Sequence, residues 1–276
     1  MAKITFMNDY SKISISIIIP AFNEEKRLPE CLEKTLKFCK EADWDAEIIV
    51  VQDGSIDNTV QIVQEFQKNN PQIILISFKN RLGKGKSIKN AMLKGTKQFI
   101  GYMDADLSAE PSEFKRLIDS MSNCDIAIGS RLLRDGLPSI GRPLFRTIFS
   151  VLYSKFFRVL FRNPIVDPQC GFKLFRKEVV PIIFKEIKTT GFAFDSEIIV
   201  KAYSLGMQIA EVPIIWRHDN ASKVTIRKQI FEMGGALLTI WYDAHILWLN
   251  NEKVYPQKKG TLIGKLLFRF LSIFKS

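Results

Sequence analysis

ISISIIIP at residues 13–20 and AEIIVVQ at 46–52, with the helical pattern 24–40 between them, read as two buried strands joined by a crossover helix. Their apolar runs are nearly continuous, so both faces of each strand must be covered, which is the habit of a parallel sheet. Outward from that unit, QIILIS at 72–77, QFIGYM at 98–103 and DIAIG at 125–129 repeat the theme. Helical patterns at 57–68, 84–97 and 111–121 fill the gaps. Regular alternation of this kind predicts an α/β fold, a Rossmann-like, mostly parallel sheet flanked by helices. Sheets of this type take ligands beyond the carboxyl ends of their strands, so a motif gains weight when it directly follows a strand.

After residue 129 the alternation stops. The patterns predict a helix at about 138–162, a strand at 170–175, a helix opening near Asp195, a strand at 208–216 and a long helix at about 225–248. Residues 249–276 read as a loop and a separate short helix. The chain thus divides into an extension (1–12), one main domain (13–248) and a linker with an amphipathic tail (249–276).

The composition, 46% hydrophobic and 25% charged over 276 residues, excludes a disordered chain. A net charge of +11 calls for an anionic partner. Basic residues interleaved with Phe and Leu on helices point to a lipid surface rather than nucleic acid. In 262–274, Lys265, Arg269 and Ser272 share one face and Leu262, Ile263, Leu266, Leu267, Phe270, Ile273 and Phe274 take the rest. In 144–162, Arg146, Ser150, Ser154, Arg158 and Arg162 recur every four residues against Phe and Leu. Both patterns suit helices in the headgroup region; packing against the domain or a second copy is the alternative. No run reaches the ~20 apolar residues that span a bilayer, and the N-terminus has no signal-peptide pattern. The expectation is a peripheral (monotopic) protein at the cytoplasmic face of a membrane, without a transmembrane helix. Cys31, Cys39, Cys124 and Cys170 show no CxxC spacing and only His218 and His245 accompany them, so buried reduced thiols are expected rather than zinc or disulfides.

Asp53-Gly54-Ser55 follows a strand, where its carboxylate would meet a nucleotide; a plain turn into the next helix is the alternative. Asp104-Ala105-Asp106 also follows a strand, and carboxylates two apart in extended chain project together, suited to Mg2+ or Mn2+ against a diphosphate. The same pattern at Asp43-Trp44-Asp45 precedes a strand and reads as a solvated loop. Asn80-Arg81-Leu82-Gly83-Lys84-Gly85-Lys86-Ser87 ends like a P-loop but has Asn80 where the first glycine is required. It reads instead as a basic turn offering backbone N–H groups and lysines to phosphates. Asp167 to Lys173 (DPQCGFK) and Phe192 to Glu197 (FAFDSE) set carboxylates and a lysine among aromatics; Asp195 can also be the cap of the following helix.

Taken together, Pro20-Ala21-Phe22-Asn23-Glu24, Asp53-Gly54-Ser55, Asn80 to Gly85 and Asp104-Ala105-Asp106 resemble the family 2 glycosyltransferases of the GT-A fold. Gly129-Ser130-Arg131, DPQCGFKLF at 167–175, GFAFDSE at 191–197 and EVPIIW at 211–216 with SKV at 222–224 look like the polyprenyl-phosphate sugar synthases, nearest the dolichyl-phosphate β-glucosyltransferases. The resemblance spans about 13–245. It implies that Pro20, Ala21, Glu24 and Asp53 line the nucleoside pocket and that Lys84 and Gly85 serve the donor phosphates. Asp104 and Asp106 would hold the divalent metal and the diphosphate. Arg131 and Lys173 would face the acceptor phosphate, and Asp167 and Asp195 would sit near the sugar as the catalytic carboxylates. Two departures stand out. Gln52 replaces the first carboxylate of Asp-Asp-Gly-Ser, and Ser108 stands where mannosyl relatives carry Gln, which favours UDP-glucose over GDP-mannose.

The implied reaction is inverting transfer of a hexose from a nucleotide sugar to a polyprenyl phosphate at the membrane surface. A phosphate acceptor is largely ionised at neutral pH and needs cationic guides more than a base. The alternative acceptor, a hydroxyl of a glycan or glycolipid, needs a general base, and Asp195 is the candidate. A mannosyl-transferring relative is the other alternative.

Overall fold

Ile15, Ile17 and Ile19 are buried in one apolar core and Ile18 in another, because successive residues of a strand face opposite sides of the sheet. Ile48 and Val50 join the first core, Ile49 and Val51 the second. The computed structural model that shows this describes residues 12–133, 139–140, 144–217 and 226–250. The expected tail at 249–276 beyond Asn250, the extension before Lys12, and Ser222-Lys223-Val224 lie outside the described residues.

In chain order the elements are β1 (Ser14–Ala21), α1 (Leu28–Glu41), β2 (Asp45–Asp53), α2 (Thr59–Asn69), β3 (Ile73–Phe78), α3 (Lys84–Met92), β4 (Phe99–Tyr102), α4 (Phe114–Ser120), β5 (Ile126–Ser130), β6 (Ser139–Ile140), α5 (Leu144–Phe161), β7 (Lys173–Arg176), α6 (Val180–Phe184), α7 (Phe194–Ser204), β8 (Ile209–Pro213), β9 (Trp216–Arg217) and α8 (Ile226–Asn250). Seven strands form one sheet in the order β3-β2-β1-β4-β7-β5-β8, parallel except for β7, which runs against β4 and β5. The α/β expectation of a mostly parallel sheet between helices is met. α1 shows why its residues make a helix: Leu28, Cys31, Leu32, Thr35 and Cys39 are buried at helical spacing, with Pro29 in the first turn. Each such leucine contributes about 1.5–3 kcal/mol by leaving water.

Three boundaries differ from the sequence reading. The helix expected over 84–97 ends at Met92, because Gly95 packs its backbone against Ile100, leaving 2.8 Å where a Cβ would stand. The expected strand 208–216 is two pieces, β8 and β9, and β9 pairs with β6 at 139–140, inside the stretch expected to be helical from 138. The strand expected at 170–175 begins at Lys173. Asp43 and Asp45 do lie at the amino end of β2, where Lys97 holds Asp45 at 2.7 Å, away from the ligand end of the sheet. All four cysteines are buried free thiols, and burial pushes Cys31 and Cys39 up to about 12. Among the described residues no helix is long and apolar enough to cross a membrane.

Candidate active site

The carboxyl ends of β1, β2, β4 and β5 bring the sequence motifs to one edge of the sheet. Because β7 is antiparallel, its first residue, Lys173, arrives at the same edge, paired with Tyr102 of β4 and Ile128 of β5.

Loops one and two are sewn together. Asn23, at φ 55, donates its N–H to Ser55 Oγ and accepts from Ile56 N–H; Glu24 N–H donates to Thr59 Oγ1. The Glu24 carboxylate is held by Arg27 at 2.6 Å, and Pro20 and Ala21 close β1 beside this turn. Asp53 is buried and takes the N–H groups of Leu82 (2.6 Å) and Gly83 (2.9 Å). Gly54 (φ 73) leaves only 2.8 Å from a would-be Cβ to the Arg81 nitrogen, so the two turns touch through backbone. Gln52 is fully engaged: Nε2 donates to Ser77 Oγ (2.7 Å) and Phe78 O (2.9 Å), and Oε1 accepts from Ser55 N–H (2.7 Å). The residue that departs from the family pattern thus ties the ends of β2 and β3.

The glycine-rich turn differs from its sequence reading. Its Leu82 and Gly83 N–H groups go to Asp53, and the Gly85 N–H goes to Thr190 O at 2.7 Å. Buried backbone donors find acceptors inside the protein where they can, so these three are not offered to a phosphate. Gly83 (φ 95) and Gly85 are glycines because Thr190 O and Thr189 O sit 2.6 Å from their would-be Cβ positions. Glu197 fixes that neighbouring loop, accepting from Lys188 and Thr189 N–H. What the turn presents outward is Lys84, whose Nζ lies 2.5 Å from Asp104 Oδ1. Burial works against the Lys84 charge, but Asp104 and Asp195 outweigh it and hold the lysine above its ordinary value.

Asp104 and Asp106 are both partly exposed. Asp106 Oδ1 accepts Ser108 N–H at 2.9 Å across Leu107, which is strained at φ 53. Burial, then repulsion from Asp104, raises the proton affinity of Asp106. Gly171 packs directly on the other carboxylate: a Cβ there would stand 2.5 Å from Asp104 Oδ2. No cluster of three metal-ligating side chains occurs among the described residues. Two adjacent carboxylates are nevertheless the oxygen donor set of a Mg2+- or Mn2+-type ion that takes its other ligands from a diphosphate.

Beneath this edge of the sheet are two ion pairs. Asp167 grips Arg131 at both oxygens (2.7 Å each) and accepts the Arg131 N–H, and Arg131 stacks 5.0 Å over Trp216. Burial opposes the Arg131 charge, and Asp167 more than restores it. The NH1 edge of Arg131 has no partner among the described residues. Glu211 braces the pair from below, accepting the N–H groups of Val166 and Asp167. The second pair is Asp195 with Lys173, joined by the Tyr102 hydroxyl, all three buried. Asp195 is not the helix cap; Ala193 occupies that position, without a side-chain hydrogen bond. Lys173 is 0% exposed, and its ammonium is spent on Asp195, Cys170 O (2.5 Å) and Pro168 O (3.4 Å). It does not reach the cleft, which corrects the expectation that it faces an acceptor phosphate.

Tyr102, Gln52, Glu211 and Trp216 were missed as site residues in the sequence. Tyr102 carried a signal, a hydroxyl inside an otherwise apolar strand, which needs a buried partner.

A sequence profile described as glycosyl transferase family 2 matches residues 16–184. The chain is 31% identical to a dolichyl-phosphate beta-glucosyltransferase of Trichomonas vaginalis, over 89% of this chain and 79% of that protein. It is 34% identical to the dolichyl-phosphate beta-glucosyltransferase of Dictyostelium discoideum, over 79% and 70%. The solved structure of glucosyl-3-phosphoglycerate synthase from Mycobacterium tuberculosis with Mn2+, UDP-glucose and phosphoglyceric acid superposes with a TM-score of 0.64 at 16% identity, covering 84% of this chain and 80% of that one.

Proposed function

The chain belongs to glycosyl transferase family 2, and on that premise we propose that it moves glucose, with inversion, from UDP-glucose to a polyprenyl phosphate of the dolichyl type at the cytoplasmic face of a membrane. The enzyme is a glycosyltransferase of the GT-A fold. The observation that carries the reading is Asp104-Ala105-Asp106 at the carboxyl edge of β4, flanked by Lys84 and by a Gly171 that has no room for a side chain.

Asp104 and Asp106 would hold Mg2+ or Mn2+. Bound there, the ion neutralises charge on the departing nucleoside diphosphate. Lys84 adds a second positive charge at the same spot. Pro20, Ala21, Glu24 and Asp53 form the nucleoside side, with Asp53 acting through the 80–85 turn it binds. The guanidinium of Arg131 receives the acceptor phosphate at its NH1 edge, and Asp167 keeps that guanidinium oriented and charged. A phosphate oxygen is already a nucleophile at neutral pH, so no base is required.

A hydroxyl acceptor is the second reading, favoured by the presence of Asp195. Its Oδ1 already accepts from both Lys173 and Tyr102, which suits an anchor better than a base. The 1–12 segment and the 249–276 tail are assigned to flank a catalytic domain at 13–248, the tail adding membrane contact. A donor screen with UDP- and GDP-sugars against short polyprenyl phosphates and glycan acceptors tests the proposal. Transfer from UDP-glucose to the phosphate is the expected result; transfer only to hydroxyls overturns it.

A further inference from the structure

At the carboxyl end of α5, roughly 10 Å along the helix from Tyr153, lies a feature that glycosyl transfer does not use. A cleft of about 580 Å3 opens at the carboxyl end of this helix, lined by Lys155, Arg158, Arg162 and Asn163 together with Val159 and Tyr203. Its charge has one sign. Lys155, Arg158 and Arg162 are exposed and have no carboxylate partner among the described residues. Asn163 is 2% exposed; its Oδ1 accepts Ile165 N–H at 3.0 Å, while its Nδ2 has no acceptor. Asn163 therefore anchors the wall of the cleft from inside, and the groups offered to a ligand are the three exposed cations. Arg162 is held at φ 50, a left-handed conformation that a non-glycine residue resists. The helix end carries about half a negative charge, which accounts for one of these cations and not for three.

The adjoining surface is apolar. Ile148, Leu152, Phe156 and Val159 are 42–56% exposed, whereas Tyr153, Phe157 and Leu160 are buried in the domain core. At 3.6 residues per turn the four exposed residues span about 80° of arc and the three cations the next ~60°. The outer face of α5 is therefore half apolar and half basic.

We propose that this face lies on a membrane and that the cleft binds the phosphate group of an anionic lipid, whose chains run along Leu152, Phe156 and Val159. Phosphate supplies the anion that the three exposed cations lack, and the apolar strip supplies the contact a soluble anion would not need. The inference rests on the membrane-acceptor reading and names its seat. α5 runs parallel to α7: Tyr153 meets Ser196 in the first turn of α7, and Tyr203 in its last turn lines the cleft. The lipid site is thus separate from the catalytic groups by roughly 10 Å along the helices.

The test is flotation of the full chain with phosphatidylcholine vesicles, with and without phosphatidylglycerol, at low and high salt. The wild type should bind the anionic vesicles preferentially and release them at high salt. Arg158→Glu combined with Arg162→Glu should weaken that binding at least about tenfold. Arg162→Gly removes the cation while relieving the backbone, so it should weaken binding about fivefold with an unchanged or higher melting temperature. Unchanged binding in both variants overturns the site. So does equal binding to neutral vesicles together with saturable binding of inorganic phosphate, which marks a soluble-anion site. Transfer to a water-soluble short polyprenyl phosphate is measured in parallel. Its survival in the variants that lose vesicles supports the assignment, and its absence from the wild type counts against the proposed function alone.

Discussion

At the residue scale the site is built from carboxylates doing different jobs. Asp104 and Asp106 are partly exposed, with Lys84 paired to Asp104, whereas Asp53, Asp167 and Asp195 are buried and bonded. Removing the Asp195 charge leaves the Lys173 ammonium buried without its partner. Asp195→Asn should therefore destabilise the fold by about 3–5 kcal/mol, read as a shift in the urea midpoint. Activity per folded molecule should fall only modestly, since the phosphate route needs no base; near-total loss at full folding would favour the hydroxyl route. Gly171→Ala is a sharper probe. A methyl group would stand 2.5 Å from Asp104 Oδ2 and must displace it, so Mn2+ affinity should drop about 10–100-fold, measured by calorimetry in the presence of UDP. Wild-type affinity in that variant would show that Asp104 is not a ligand.

At the element scale, the strands, the α/β alternation and the position of Asp104-Ala105-Asp106 were legible in the sequence, because apolar runs and turn residues are local signals. The reversed direction of β7 was not, since a short apolar strand such as KLFR carries no mark of polarity. Lys173 was misread for that reason: only the antiparallel register places it beside Tyr102, inside the protein. The Tyr102–Asp195 bond joins positions 93 apart in the chain, a separation at which spacing says nothing about contact. The glycine turn was half legible. Its glycines are required, but for closeness to the 189–190 backbone and not to expose N–H groups. Gln52 illustrates how a departure from pattern becomes structure. Gln52→Ala would strand Ser55 N–H, while Phe78 O keeps the Gly54 N–H at 3.1 Å, and should cost about 1–3 kcal/mol, measured by thermal or chemical unfolding; a neutral variant would contradict its role in joining β2 to β3.

At the scale of the whole molecule, one sheet separates two apolar cores and gathers every candidate group at a single edge. Lys84 and Arg131 are matched by Asp104 and Asp167, so part of the excess positive charge of the chain lies instead on the basic flank of α5. The most direct measurement is the product formed from UDP-glucose and a short polyprenyl phosphate by the full chain with Mn2+, identified by mass and by the anomeric coupling of the new bond. The expected product is a β-linked glucosyl phosphate lipid, its rate reduced by at least about 100-fold in Asp104→Asn. No transfer to any polyprenyl phosphate, or an undiminished rate in that variant, would contradict it.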